Sequence, residues 1–132
     1  HREFNQHADL LCNQAMNGVN GQPGRWNNQR LCNLATRPAF IHAHFDGGFR
    51  DGISASAYVV KAAWDVDGQG RPNFMLLQTA SWLNDNLFNT SGMLNNEAHA
   101  THAEMRAFED VLTFIIYTYI FFKQYARNGR PT

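Results

Sequence analysis

Apolar residues change their spacing along the chain, and each change predicts a different element. Residues 3–16 repeat apolar positions with the period of an amphipathic helix, and Asn17-Gly18 predicts where that helix ends. Residues 26–34 predict a second short helix, which stops before Pro38 because the residue preceding a proline avoids helical geometry. We therefore expect a helical N-terminal extension over residues 1–38.

Residues 39–83 predict three strands in an antiparallel meander. The first strand, over residues 39–46, alternates in polarity, so that side chains two residues apart share a face. Residues 47–52 predict a turn, in which Asp51-Gly52 is typical of a hairpin. The second and third strands are expected over residues 53–64 and 73–83, joined by a long turn.

A long helix is predicted to begin within residues 97–101 and to run to about Arg127, where Asn128-Gly129 favours a stop. Between residues 108 and 125 this helix is apolar on nearly all sides. Such a helix must be covered on more than one side, and a three-stranded sheet is too small to do this alone. The pattern predicts an α+β or α/β fold, with a protein partner or a second copy of the chain against residues 108–125.

Composition narrows the class of protein. The chain has 132 residues, 44% of them hydrophobic, which is typical of a globular domain. Eleven basic and eleven acidic residues give no net charge, so any affinity for nucleic acid must be local. The most apolar run, residues 111–122, is shorter than the roughly 18–20 residues that cross a bilayer, so we expect no membrane span. Association of this run with lipid is the alternative.

The N-terminal residues and the cysteines bear on the compartment. Charged residues occur throughout residues 1–20, where a secretory signal would be apolar, and we expect an intracellular protein. Cys12 and Cys32 are too few for a disulfide framework, so two thiols are favoured over a single bridge.

Two short motifs carry the candidate chemistry. Phe45-Asp46-Gly47-Gly48 ends the first predicted strand, and Ala103-Glu104-Met105-Arg106-Ala107 lies near the start of the long helix. With small residues in the second strand between them, these motifs resemble the ribonuclease H superfamily and are most similar to the ribonuclease H domains of retroelement reverse transcriptases. The resemblance covers about residues 39–116 and implies a truncated ribonuclease H-like domain over residues 39–132.

The resemblance implies Asp46 and Glu104 as catalytic metal ligands. In that family an Asp ends the first strand, a Glu lies on the first long helix, and a second Asp ends the fourth strand. Hard oxygen ligands suit a pair of Mg²⁺ or Mn²⁺ ions about 4 Å apart, which support hydrolysis of a phosphodiester. The implied substrate is the RNA strand of an RNA–DNA hybrid.

The family's third carboxylate has no match in the sequence. No Asp or Glu follows Asp110, which lies about 240° round the helix from Glu104. Glu97, two helical turns before Glu104, is the best substitute as a metal ligand, and Asp51 is another candidate. The family's fourth strand would pair with residues 39–46, so we expect a strand edge there that a partner covers.

Histidines form a second candidate constellation. His42 and His44 share the strand face of Asp46, while His99 and His102 precede Glu104 on the helix. Imidazole and carboxylate ligands together suit zinc, which we favour less than Mg²⁺ or Mn²⁺. We predict a proton-shuttle role for His102. Histidines that merely face solvent are the alternative.

Substrate contacts are predicted around the first motif and on the long helix. Glycine has no Cβ and lets a sugar-phosphate approach the backbone closely, and arginine pairs with phosphate. The predicted contacts are Gly47, Gly48, Arg50 and Arg106.

Two functions are consistent with these residues. The first is a metal-dependent ribonuclease H-type endonuclease of retroelement origin. The second is a non-catalytic interaction module that acts as a subunit of a larger assembly or of a homo-oligomer. Both functions are compatible, since a partner is able to supply the missing strand and its carboxylate.

Overall fold

The computed structural model describes residues 5–18, 26–29, 37–84 and 96–127. The elements in chain order are α1 (Gln6–Asn17), β1 (Trp26–Gln29), β2 (Phe40–Arg50), β3 (Ile53–Ala63), β4 (Met75–Asn84) and α2 (Asn96–Arg127). The strands form one antiparallel sheet in the order β1-β4-β3-β2. The fold is α+β, with an N-terminal helix, a three-stranded meander and one long C-terminal helix packed on the sheet.

The structure confirms the N-terminal helix, the meander and the long helix that the pattern of apolar positions predicts. α1 ends at Gly18, whose backbone N–H donates to the Gln14 carbonyl at 2.7 Å and satisfies one of the last carbonyls of the helix. The long turn after β3 is held by Asp67, whose carboxylate accepts from the backbone N–H groups of Gln69 and Arg71. Local turn chemistry therefore stabilises the middle of the connection between β3 and β4.

The first strand of the meander is longer than the sequence predicts. The expected turn over residues 47–52 is wrong at its start, because β2 continues to Arg50 and pairs with Ile53 across a two-residue loop. Only Asp51 and Gly52 turn the chain, and both have a positive φ, of 53° and 79°. Two positive φ values match the twist of the flanking strands, so Gly47 and Gly48 are strand residues rather than turn residues.

The second N-terminal helix, predicted over residues 26–34, is wrong for the part that the structure describes. Trp26–Gln29 is the strand β1, and it pairs antiparallel with β4 from Ser81 to Gln78. A helix of nine residues is marginal on its own, whereas pairing with β4 satisfies backbone groups along a sheet edge. Residues 30–36 lie outside the described part of the chain.

The two helices cover opposite faces of the sheet. Tyr58, Val60 and Trp82 form the core under α2, together with Val111 from that helix. Alternate residues of β3 face α1, where Ala55 and Ala57 pack against the buried residues Cys12, Ala15 and Met16. Because α1 packs on the same sheet, the part of residues 1–38 that forms this helix is one layer of the fold.

α2 approaches β2 unusually closely. A Cβ at Gly47 would collide with the backbone of Ala103 and Glu104, so only glycine fits beneath the helix at this point. Next to it, the buried Ser56 hydroxyl donates to the Ala103 carbonyl at 2.6 Å. Ala103 and Ala107 are fully buried and add no bulk between the helix and the strand. These small residues fix the height and the register of α2 over β2.

Neither helix of the described chain has the length and apolar character needed to cross a bilayer.

The close approach predicts the effect of a substitution. Gly47→Ala should lower the free energy of unfolding by about 2 kcal/mol or more, because the backbone of α2 must move to admit the Cβ. Urea unfolding followed by circular dichroism measures this. Gly68→Ala is the matched control, since its Cβ would meet no atom within 4 Å and Gly68 has no positive φ. A Gly47→Ala variant as stable as the control would contradict the packing described here.

Candidate functional site

Asp46 lies in the middle of β2, on the face of the sheet that α1 covers. Its neighbour two residues on, Gly48, faces Met16 and Cys12 of α1, and alternation along the strand places Asp46 on the same face. The Asp46 carboxylate is half-buried and is hydrogen-bonded to the carboxyl group of Asp9. The first helix thus brings a second carboxylate to the predicted one.

Glu104 reaches the same place from the other side of β2. It follows Ala103 in the helical turn that packs on Gly47, and its side chain is exposed at the margin of the sheet. Asp9, Asp46 and Glu104 line one open cleft, and the amide side chains of Asn5 and Gln6 complete its described lining. We call this the carboxylate cleft.

Two contacts place α1 beside β2. The Asn5 amide donates to the Phe45 carbonyl at 3.1 Å, at the start of the helix, and the Arg50 guanidinium donates to Asn17 at its end. Between them the Cys12 thiol donates to the Ala55 carbonyl at 3.3 Å. α1 is held along its whole length, so the position of Asp9 against Asp46 is a consequence of packing.

The electrostatics of the cleft are unfavourable to the ionised Asp46. Burial is the largest cause that raises the pKa of this carboxyl group from its ordinary 3.8 to about 6, and the hydrogen bond and charge of Asp9 and the charge of Glu104 contribute to the same rise. The backbone N–H of Gly47 acts in the opposite direction by hydrogen bonding to the carboxylate. Near neutral pH the cleft therefore concentrates negative charge that a cation would neutralise.

The cysteine beside the cleft is not a nucleophile. Burial, followed by the charges of Asp46 and Asp9, raises the pKa of the Cys12 thiol to about 12. The thiol stays protonated and acts as a packed hydrogen-bond donor. Cys12 is a free thiol, and Cys32 lies outside the described residues.

The structure brings together Asp46 and Glu104 but separates several other predicted residues from them. Glu97 is exposed two turns before Glu104, about 10.5 Å along the helix axis, and is not among the described residues that line the cleft. His102 and Arg106 each lie two residues from Glu104 and so point about 200° round the helix from it. The roles predicted for these three side chains stay predictions without support from the geometry.

The predicted substrate contacts on β2 have structural roles. Gly47 lies beneath α2, and Gly48 lies within van der Waals distance of Met16 and Cys12 in α1. Arg50 is exposed but bonds to Asn17. Asp51, the other candidate carboxylate, is exposed in the hairpin turn and does not appear in the described lining of the cleft.

The histidines do not converge as the zinc alternative requires. His99 stacks on Phe49 with ring centroids 4.3 Å apart, on the face of the sheet opposite to His42 and His44. Within residues 5–18, 26–29, 37–84 and 96–127, no group of three or more His, Cys, Asp or Glu side chains is arranged to hold a metal ion. The carboxylates of the cleft surround an open space and do not make a preformed ligand set.

Asp9 is the site residue that the sequence did not reveal. It lies 37 positions from Asp46, and only the packing of α1 across the sheet makes them neighbours. The signal in the sequence is the spacing of Asp9 from Cys12 and Met16, which places its exposed carboxylate at the margin of the sheet-facing stripe of an amphipathic helix.

We compared the chain with protein-family models, with curated proteins and with solved structures, and none of them matches it. The resemblance to ribonuclease H therefore stays a prediction from the motifs.

The raised pKa of Asp46 makes a prediction about stability. Because the folded pKa lies above the ordinary value, this carboxyl group contributes most to stability below about pH 4, and the contribution is lost as pH rises through about 6. Asp46→Asn should therefore be more stable than the unmodified chain at pH 8, by about 1 kcal/mol after allowance for solvent screening, and nearly equal to it at pH 4. Urea unfolding at both pH values measures the difference.

Asp51→Asn, in the exposed turn, is the matched control and should change stability by less than about 0.5 kcal/mol at either pH. Loss of stability in Asp46→Asn at pH 8 would show that the carboxylates do not repel one another.

Proposed function

We propose that the protein is a divalent-metal-dependent phosphodiesterase of the ribonuclease H type, acting on the RNA strand of an RNA–DNA hybrid. The observation that carries the proposal is the convergence of Asp9, Asp46 and Glu104 on one cleft. All three are hard oxygen donors, which is the ligand chemistry that Mg²⁺ and Mn²⁺ prefer.

The order and packing of the elements support a partial ribonuclease H-like fold as the finer description. An antiparallel meander precedes a helix that packs on its first strand, as the resemblance implies. Gly47 and Ser56 set the helix so that Glu104 lies beside the strand residue Asp46. The two positions that match the family's motif thus both line the cleft.

Asp9 offers a third carboxylate from an element that the family does not use. In the resemblance this group comes from a later strand, whereas here α1 carries it across the other face of β2. In the proposed site Asp46 and Glu104 hold the metal, which when bound would polarise the phosphodiester and lower the pKa of a water. Asp9 would then contribute a third negative charge that helps to balance the charge of the metal ion.

The proposal predicts a loss of metal-dependent cleavage. Glu104→Gln and Asp46→Asn should each lower hybrid cleavage in Mg²⁺ by about 100-fold or more, since each removes a charged ligand but keeps the shape of the side chain. Asp9→Asn should lower it by about 10-fold or more, because it removes one of the three negative charges of the cleft. The measurement is single-turnover cleavage of a hybrid with a labelled RNA strand.

Glu109→Gln is the matched control on the exposed side of α2 and should cleave as the unmodified chain does. A second readout is thermal unfolding, in which Mg²⁺ should raise the Tm of the unmodified chain and of the control but not that of Asp46→Asn. Cleavage that survives both Asp46→Asn and Glu104→Gln would exclude the proposed reaction.

A second candidate function, an interaction module, is favoured by the outer face of α2. Five large side chains of this face are between 41% and 60% exposed: Met105, Phe108, Leu112, Ile116 and Tyr119. We call them the outer stripe. Their spacings of 3, 4, 4 and 3 residues average 3.5, the repeat of a helix that packs along another helix. We propose that a second copy of the chain packs against the outer stripe.

The edge of β2 has fewer free backbone groups for pairing with a partner than the sequence predicts. β2 ends the described sheet, and the two-residue hairpin directs the backbone groups of Phe45 and Gly47 away from β3. The Asn5 amide already occupies the Phe45 carbonyl, and the Asp46 carboxylate accepts from the Gly47 N–H. The middle of the edge is thus partly satisfied from within the chain.

The module predicts self-association through the helix. The unmodified chain should be a dimer by multi-angle light scattering at high concentration, and Leu112→Glu should shift it to monomer because a carboxylate would be buried at the centre of the stripe. Thr113→Glu, on the adjacent exposed position, is the matched control and should leave the dimer intact. A monodisperse monomer of the unmodified chain at high concentration would rule out this contact.

A further inference from the structure

A group of basic side chains lies along β2 next to the carboxylate cleft. His42 and His44 share the strand face of Asp46, and Lys61 of β3 lies directly opposite His42 in the register of the two strands. His44 is therefore two residues from Asp46, and His42 and Lys61 form the next row. We call these three side chains the basic strip.

Packing holds the basic strip at the surface. The His42 ring is exposed and lies against the half-buried Phe74, with ring centroids 4.4 Å apart, and it meets the His44 ring edge-on at 6.4 Å. Lys61 is partly buried, and a lysine at such a position typically lays its apolar stem on the protein while its ammonium group reaches solvent. The hydrogen-bond donors of the strip are therefore positioned by neighbouring rings and strands rather than by flexible loops.

The described part of α1 leaves the basic strip uncovered. Asn5, just before the helix begins, bonds to Phe45, and the helix then runs over Gly48 toward Arg50. His42 and His44 lie on the other side of Phe45, beyond the start of the helix. Along β2, the basic strip therefore follows the carboxylate cleft on the side of Phe45 away from the described part of α1.

We infer that the basic strip binds phosphate groups of the strand whose phosphodiester lies in the carboxylate cleft. The ammonium group of Lys61 and the imidazole N–H groups of His42 and His44 are donors of hydrogen bonds to phosphate oxygens. The chain as a whole has no net charge, so it does not attract a polyanion over its whole surface. A polyanion would therefore be positioned by a local group of donors, such as the basic strip next to the negative cleft. The inference rests on the proposed function for the position of the cleaved bond.

The test measures binding separately from cleavage. Fluorescence anisotropy of a labelled RNA–DNA hybrid, without divalent metal, gives Kd at several salt concentrations. Lys61→Gln should weaken binding by about 3-fold to 10-fold at low salt and reduce the slope of log K against log salt by about 1. Arg71→Gln is the matched control, since it removes the same charge from the exposed turn between β3 and β4.

Three results would overturn the inference that the basic strip binds phosphate groups. Equal effects of Lys61→Gln and Arg71→Gln, no effect of Lys61→Gln, or no hybrid binding at all would overturn it. If circular dichroism shows that Lys61→Gln is unfolded, His42→Gln replaces it, with an expected weakening of at least about 2-fold and the same criteria. Anionic phospholipid vesicles, which offer phosphodiesters of another source, are the second arm, and Lys61-dependent binding to vesicles alone would also overturn the inference.

The binding experiment and the cleavage experiment test the basic strip and the proposed reaction independently. Lys61-dependent hybrid binding by a chain that does not cleave would support the strip and reject the proposed reaction. Metal-dependent cleavage with binding that is insensitive to Lys61 would support the reaction and reject the strip.

Discussion

The contact between α2 and β2 is the constraint on which the rest of the structure depends. Gly47 leaves no room for a Cβ beneath Ala103, and the Ser56 hydroxyl bonds to the carbonyl above it, so the helix has one height and one register over the strand. That register places Glu104 at the margin of β2. It also commits the other side of α2 to solvent, because a helix lowered onto small residues buries a narrow stripe and leaves its large side chains outside.

The carboxylate cleft lowers the stability of the folded chain near neutral pH, because its acidic side chains repel one another and Asp46 is half-buried. A strand residue with a half-buried carboxylate would be more favourable as an amide or a hydroxyl, yet Asp46 lies between two further acidic side chains and its pKa is raised in consequence. Structural reasons account for Gly47, Gly48 and Cys12, whereas packing does not account for three carboxylates around one space. Clusters of this kind are more frequent at functional positions than elsewhere.

Local patterns in the sequence predicted most of the fold. The meander, α1 and α2 follow from alternation, helical period and turn residues, each of which acts over a few positions. The sequence does not predict the strand β1, because β1 is stabilised by pairing with the edge of β4, about fifty residues away. The site was half predicted for the same reason. Asp46 and Glu104 lie in short motifs that the sequence displays, while Asp9 becomes a neighbour only through long-range packing. His102 and Arg106 lie close to Glu104 in sequence, but each is about 200° round the helix from it.

The bond from Asn5 to the Phe45 carbonyl has a consequence for how the chain avoids unwanted association. A long strand at the edge of a sheet pairs with other strands unless its free backbone groups are occupied. Here Asn5, the residue just before α1, occupies the Phe45 carbonyl. The Asn5 amide therefore occupies a backbone group at the edge of the sheet and also helps to hold the helix that carries Asp9. Loss of this amide would therefore free the Phe45 carbonyl at the edge of the sheet and also remove one of the contacts that hold α1, and with it Asp9, beside β2.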